Sequence, residues 1–252
     1  MKVCIYANCQ GLGIEKFLNI GLEGKCQTSV ILNYEKLSTK QELEYNLISN
    51  CDLFIYQHLS YSHGVYSTDP TSPNGVIKYL KDDCIKISIP FVYNSSLWSM
   101  FIDGDEIVNK NVVLELKNKG YSLREVFSMY DKFELDFNYE SRNKDCFNFL
   151  REREKNCEIK VADFMEDNML DSKMLLTQNH PTSIIFVWMV NQILNILGKR
   201  NKLNHELYDE NFTQLPCYYN HNKYDLKYWN FKYHIECNGD EWTKSLIKNV
   251  YE

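Results

Sequence analysis

"VCIYANCQGLGIEKFL", residues 3–18, decides how this chain is read. An apolar run ends at Ala7, Asn8-Cys9-Gln10 lead into Gly11-Leu12-Gly13, and an amphipathic stretch follows. A buried strand handing over to a helix has this pattern, and here it sets a cysteine at the turn. Free cysteine is among the most often buried residue types, so packing is one account of Cys9. The other is a nucleophile at the carboxyl end of the first strand of an open α/β sheet, the edge where such sheets bind ligands. Backbone N–H groups and the positive end of the next helix would favour a thiolate there. They would also stabilise an oxyanion forming on an attacked acyl carbon.

Working outward, residues 2–7, 26–32, 51–57 and 84–93 read as strands. Helical spacing covers 11–20 and 39–49, the second opened by Thr39 and Glu42 as a capping box, with a short helix near 75–82. Strands alternating with helices in this way imply βαβ units and a mostly parallel sheet. A helix is expected over 105–118 from the stripe Ile107, Val108, Val112 and Leu116, another from the Ser122/Glu125 capping box, and a charged one over 140–156. "REREK" at 151–155 reads as a solvated face. "SKMLLTQNHPTSIIFVWMVNQILNILGK" gives an extended piece, a break and an apolar helix closing near Gly198, followed by an aromatic-rich tail with a helix over 240–251. The expectation is one α/β domain over 1–252. Its core spans about 1–198 and carries a helical insertion; an irregular C-terminal extension spans about 199–252.

Composition excludes several classes. With 44% hydrophobic and 25% charged residues the chain is an ordinary globular one. A net charge of −6 argues against a nucleic-acid-binding surface. The nine cysteines are odd in number, scattered, and without a C-x-x-C pair, so neither a disulfide framework nor a zinc site is expected. Cys4, Cys51 and Cys84 sit in apolar runs and read as small buried hydrophobes. No signal peptide or membrane span is read, which points to a reducing cytoplasm. No pattern specifies an oligomer.

A thiol nucleophile wants a base, and six histidines are available. His180, in "TQNHPTSII", directly precedes Pro181 and the apolar helix. Proline suits the first helical position, which makes His180 or Asn179 the expected cap and holds the imidazole neutral at the helix end. Gln57 and His58 end the third strand on the same sheet edge as Cys9. None of the histidines lies in a metal-ligand motif, so metal chemistry is not expected. "GLGIEK", with Glu35 after the second strand, begins like a dinucleotide fingerprint, but Lys16 stands where the third glycine belongs.

These residues carry a resemblance. "YANCQGLGIEKFL" resembles the N-terminal signature of the WcbI-type polysaccharide-biosynthesis acetyltransferases of bacterial capsule clusters, with Ala7 in place of the usual glycine. "LLTQNHPTSIIFVWMVNQILNILG" resembles that family's later N-H-P segment; "DLFIYQHLS" and "IPFVYNSSLW" fall at its strand-end glutamine and proline-aromatic loop. The match spans roughly 1–198. It implies a sheet of SGNH- or flavodoxin-like architecture and acetyl-CoA-dependent O-acetylation of a sugar or glycan-precursor acceptor. It also implies Cys9 at the nucleophile position, His180 as base, and Asn8, Gln10, Gly11, Gln57, His58 and Asn179 around the oxyanion or substrate. Both a ping-pong path through acetylated Cys9 and a direct transfer, in which Cys9 only shapes the oxyanion site, fit that pair. SGNH hydrolases place an aspartate three residues before the histidine; this chain has Thr177 there, and Asp163 is the candidate replacement. Lys16, Arg124, Arg151 and Arg153 are the candidate cations for coenzyme A phosphates. The same residues would serve a cysteine-dependent esterase, and a structural Cys9 would fit a non-catalytic glycan- or nucleotide-binding protein.

Overall fold

The computed structural model describes residues 1–200, 202–209 and 219–252, so Cys217 lies outside the described residues. Four strands, β1 (Lys2–Ala7), β2 (Gln27–Leu32), β3 (Leu53–Gln57) and β4 (Ile85–Ile89), form an all-parallel sheet in the order β2-β1-β3-β4. The strand order reverses direction between β1 and β3. Residues 3–7 of β1 are buried without interruption, as a central strand covered on both faces requires. Tyr6 tolerates this because its hydroxyl donates to the Tyr66 carbonyl at 2.9 Å.

One face carries α1 (Gln10–Gly21), and the other carries α2 (Asn33–Thr39) and α3 (Tyr45–Ser49), which enclose Cys4, Tyr6, Phe54, Cys51 and Cys84. The expected helix over 39–49 is therefore two pieces. Thr39 directs its hydroxyl to the Glu35 carbonyl at 2.6 Å, closing the first helix instead of capping the second, and Lys40 turns left-handed.

The expected helix over 105–118 also divides. Phe101–Asp103 (β5) and Glu106–Val108 (β6) form an antiparallel hairpin around Gly104 at φ +60°, and α4 (Asn111–Asn118) begins only afterwards. Gly104-Asp105, the two-residue loop between paired Asp103 and Glu106, is a hairpin signal that outranks the apolar stripe. Ser122 and Glu125 form their capping box at the head of α5 (Leu123–Asp131). On α6 (Tyr139–Glu154), "REREK" is only partly solvated. Glu154 is buried, and its carboxylate accepts the N–H groups of Val161 and Ala162 at 2.7 and 3.1 Å, capping α7 (Ala162–Asn168).

Leu175–Thr177 (β7) and His180–Pro181 (β8) make a short hairpin ahead of α8 (Ser183–Ile196). Thr182, not His180 or Asn179, precedes the helix, because Pro181 pairs with Leu175 in the hairpin. The chain ends in α9 (Lys223–Trp229) and α10 (Asp240–Tyr251). Buried Asp225 of α9 accepts from Ser99 N–H (2.7 Å) and the Tyr139 hydroxyl (2.5 Å), and Trp229, Leu246 and Ile247 join the larger core cluster. No helix of the described residues is long and apolar enough to cross a membrane.

The contact that positions the site is between α1 and α8. Phe17 and Phe186 stack at 6.4 Å, Gly13 lies against Phe186, and Gly21 lies against Leu194. Later residues of one helix meet later residues of the other, so the helices run parallel and their amino ends open on the same sheet edge. A Cβ at Gly13 would stand 2.5 Å from the Phe186 ring, which is itself buried. Gly13→Val is expected to destabilise the protein by about 1–3 kcal/mol through overpacking, lowering Tm by about 3 to 10 °C in a thermal melt.

Candidate active site

Cys9 sits between β1 and α1 with α-helical backbone angles and a half-buried side chain. The helix start is organised by Asn8, whose Oδ1 accepts Gln10 N–H at 3.0 Å and whose carbonyl accepts Gly11 N–H at 2.8 Å. From the hairpin before α8, His180 brings Nε2 to 3.8 Å from Cys9 Sγ, although 171 residues separate the two in sequence. On the ring's other side, Nδ1 lies 2.6 Å from Thr177 Oγ1, which also donates to Asn179 Oδ1 at 3.2 Å.

The helix end does not lower the Cys9 thiol as expected. Burial pushes it above its usual range, and this outweighs the opposing pull of the N–H groups of Cys9 and Gln10. Burial also holds His180 below its ordinary value. Desolvation, not a helix end, is thus what keeps the imidazole neutral. The resting pair is a thiol beside a neutral imidazole, with proton transfer left to the moment of attack.

Four residues expected to surround an oxyanion are engaged elsewhere. Buried Gln10 donates from Nε2 to the carbonyls of Val92 (2.7 Å) and Asn179 (2.8 Å), and its Oε1 accepts from Val92 N–H (3.1 Å) and Gln57 Nε2 (3.4 Å). Gln57 Oε1 accepts Asn8 N–H at 2.9 Å. Gly11 is inside α1, with its N–H on Asn8 and its Cα against Ala7 and Val30. Gly11 and Gly13 therefore serve helix packing and not a phosphate-binding loop, which removes the dinucleotide reading of "GLGIEK". His58 is exposed past β3 with its ring edge-on to Tyr56 at 5.4 Å. The donors that face the sulfur are the backbone N–H groups of Cys9 and Gln10, the second of which also bonds Asn8 Oδ1.

Gln10 is thus a keystone joining the β1–α1 turn, the loop after β4 and the Asn179–His180 segment. Gln10→Ala would orphan buried Val92 N–H and two carbonyls, at about 1–3 kcal/mol for each group left unpaired. Its urea midpoint is expected to fall with activity; lost activity at unchanged stability would restore the oxyanion role.

Asp163 is not beside the imidazole. It is exposed on α7, 2.9 Å from the Arg151 guanidinium, which also pairs with Glu166. The sequence reading passed over Tyr34, at the start of α2 after the second strand, whose hydroxyl donates to Glu35 (3.0 Å) and whose phenol is pushed up first by burial, then by Glu35 and least by Cys9. Its place after a strand on the same sheet edge was the available signal. Arg153 is exposed and lies 5.2 and 5.8 Å from the Phe91 and Tyr93 rings, which flank Val92. Among the described residues, no three His, Cys, Asp or Glu side chains are grouped to hold a metal.

Fold and site together define a parallel, doubly wound α/β protein with a cysteine–histidine pair at the switch point of its sheet, where such folds bind ligands. The chain belongs to the family described as polysaccharide biosynthesis enzyme WcbI, whose model matches residues 2–202, and it is therefore an enzyme. A solved structure of WcbI, described as a novel polysaccharide biosynthesis enzyme, shares the fold. Its TM-score is 0.60 at 17% identity, over 83% of this chain and 73% of that one. That structure is of the native protein without a disulfide between coenzyme A and one of its cysteines. No curated protein matches the chain.

Proposed function

We propose that the enzyme transfers an acetyl group from acetyl-CoA to a hydroxyl of a nucleotide- or lipid-linked glycan precursor of a capsule or other surface polysaccharide, in the cytoplasm. The observation that carries this reading is the 3.8 Å approach of His180 Nε2 to the Cys9 sulfur at the ligand-binding edge of the sheet. The solved relative's association with coenzyme A supports the donor, and the family's description supports the acceptor class.

In the first half-reaction the Cys9 thiol gives its proton to His180 as Sγ bonds to the acetyl carbon. The carbonyl oxygen then carries the charge, which the backbone N–H groups of Cys9 and Gln10 beside the sulfur can stabilise. The carbon–sulfur bond to coenzyme A breaks, and His180 returns the proton to the departing thiolate. In the second half, His180 takes the proton of the acceptor hydroxyl, the oxygen bonds to the acetyl carbon, and Cys9 leaves to recover its proton. Arg153 is the candidate partner for a coenzyme A phosphate near the site; Arg151 is held by Asp163 and Glu166.

The test pairs calorimetric titration of coenzyme A with release of its free thiol from acetyl-CoA in the presence of nucleotide sugars. Binding plus acceptor-dependent release is expected. Steady ester hydrolysis without an acceptor, together with no coenzyme A binding, would replace this reading by a cysteine esterase.

A further inference from the structure

We propose that Thr177 is the positioning residue of this site, its hydroxyl donating to Asn179 Oδ1 and accepting Nδ1–H of His180, which leaves Nε2 unprotonated toward the Cys9 thiol. The inference rests on the Cys9–His180 pair used above, not on the identity of the acyl group or acceptor.

A threonine hydroxyl has one proton to give. It has two polar neighbours: Asn179 Oδ1 at 3.2 Å and His180 Nδ1 at 2.6 Å. The amide oxygen can only accept, so the threonine proton goes there. The 2.6 Å contact is then a hydrogen bond only if Nδ1 carries the ring's proton. A neutral imidazole has a single N–H, which places the lone pair on Nε2, the nitrogen facing Cys9. The opposite arrangement would put N–H against the sulfur and leave no base for the thiol.

The backbone enforces the geometry. Thr177 and His180 are paired residues of the β7–β8 hairpin, and Thr177 is buried while His180 and Asn179 are half-buried. The Asn179 carbonyl is in turn held by Gln10 Nε2 at 2.8 Å, so the relay is anchored to the turn that carries Cys9. Among the described residues the hydrogen-bond partners of the ring are Cys9 and Thr177, and neither is a carboxylate. A neutral orienting residue sets the tautomer without favouring imidazolium. A carboxylate in its place would do both.

The experiment uses the full-length protein with ¹⁵N-labelled histidine, the His180 signals being identified by their loss in His180→Ala. Long-range proton–nitrogen spectra at mildly alkaline pH are expected to show Nδ1–H and bare Nε2 in wild type and in Thr177→Ser. In isosteric Thr177→Val that pattern is lost. In Thr177→Asp it persists, and the pH at which the ring protonates moves up by about one to three pH units. Alkylation of Cys9 by iodoacetamide, followed on the Cys9 peptide, should then accelerate at mildly acidic pH in Thr177→Asp alone. Circular dichroism verifies that each variant folds. Nε2–H in wild type, or an unchanged tautomer in folded Thr177→Val, overturns the proposal. No acyl donor is used, so a failure of acetyl transfer would leave these readouts unaffected.

Discussion

Cys9→Ala is expected to lower acetyl transfer about a thousandfold or more while the protein remains folded. Removing a covalent nucleophile removes the acyl-enzyme route altogether, and what survives is binding and oxyanion stabilisation. The substitution is structurally mild. Cys9 makes no side-chain capping bond, and Asn8 holds the helix start in its place. The thermal midpoint should therefore stay close to wild type. The comparison with Gln10→Ala, where stability and activity fall together, separates a reacting residue from a supporting one. Wild-type turnover in Cys9→Ala would leave the sulfur as packing.

His180→Ala is expected to cost about a hundredfold to ten-thousandfold, the range of a positioned general base. Its pH behaviour is as informative as its size. Burial depresses the titration of His180 below the usual 6.5, so the neutral, proton-accepting form is already dominant at neutral pH. Activity in wild type should thus be level through neutrality and fall only as pH drops below 6.5, when the imidazole gains a proton. Because the Cys9 thiol is pushed up by burial, no second rise should appear until well into the alkaline range. His180→Ala should lose the acid limb, and turnover should instead climb with thiolate formation. An acid limb that survives this substitution would assign the base elsewhere.

Much of the sheet was legible because buried parallel strands are continuous apolar runs. The expected strands at 2–7, 26–32, 51–57 and 84–93 overlap β1 to β4. Residues 105–118 misled because apolar positions at helical spacing also fit a hairpin with a short helix behind it, and the Gly104-Asp105 loop is what tells the two apart. The head of α9 was missed: the tail before residue 240 was read as irregular, although Asn222 and Asp225 form a reciprocal cap with the spacing of a capping box. The cysteine could be singled out from its place at a strand end. What local sequence could not supply was the partition of amides around it. Gln10 and Gln57 look like oxyanion donors until their bonds to Val92, Asn179 and Asn8 are seen. Asp163 failed for a related reason. A carboxylate was sought for the imidazole, while the nearer Arg151 had already paired with it.

Whether the sulfur of residue 9 carries the acyl group decides the mechanism. Incubating the protein with acetyl-CoA, quenching in acid and mapping the peptides by mass spectrometry answers this in one measurement. The prediction is one acetyl group on the peptide containing Cys9, discharged when a competent sugar acceptor is added, and absent from Cys9→Ala. Turnover with that peptide unmodified at every time point would contradict it.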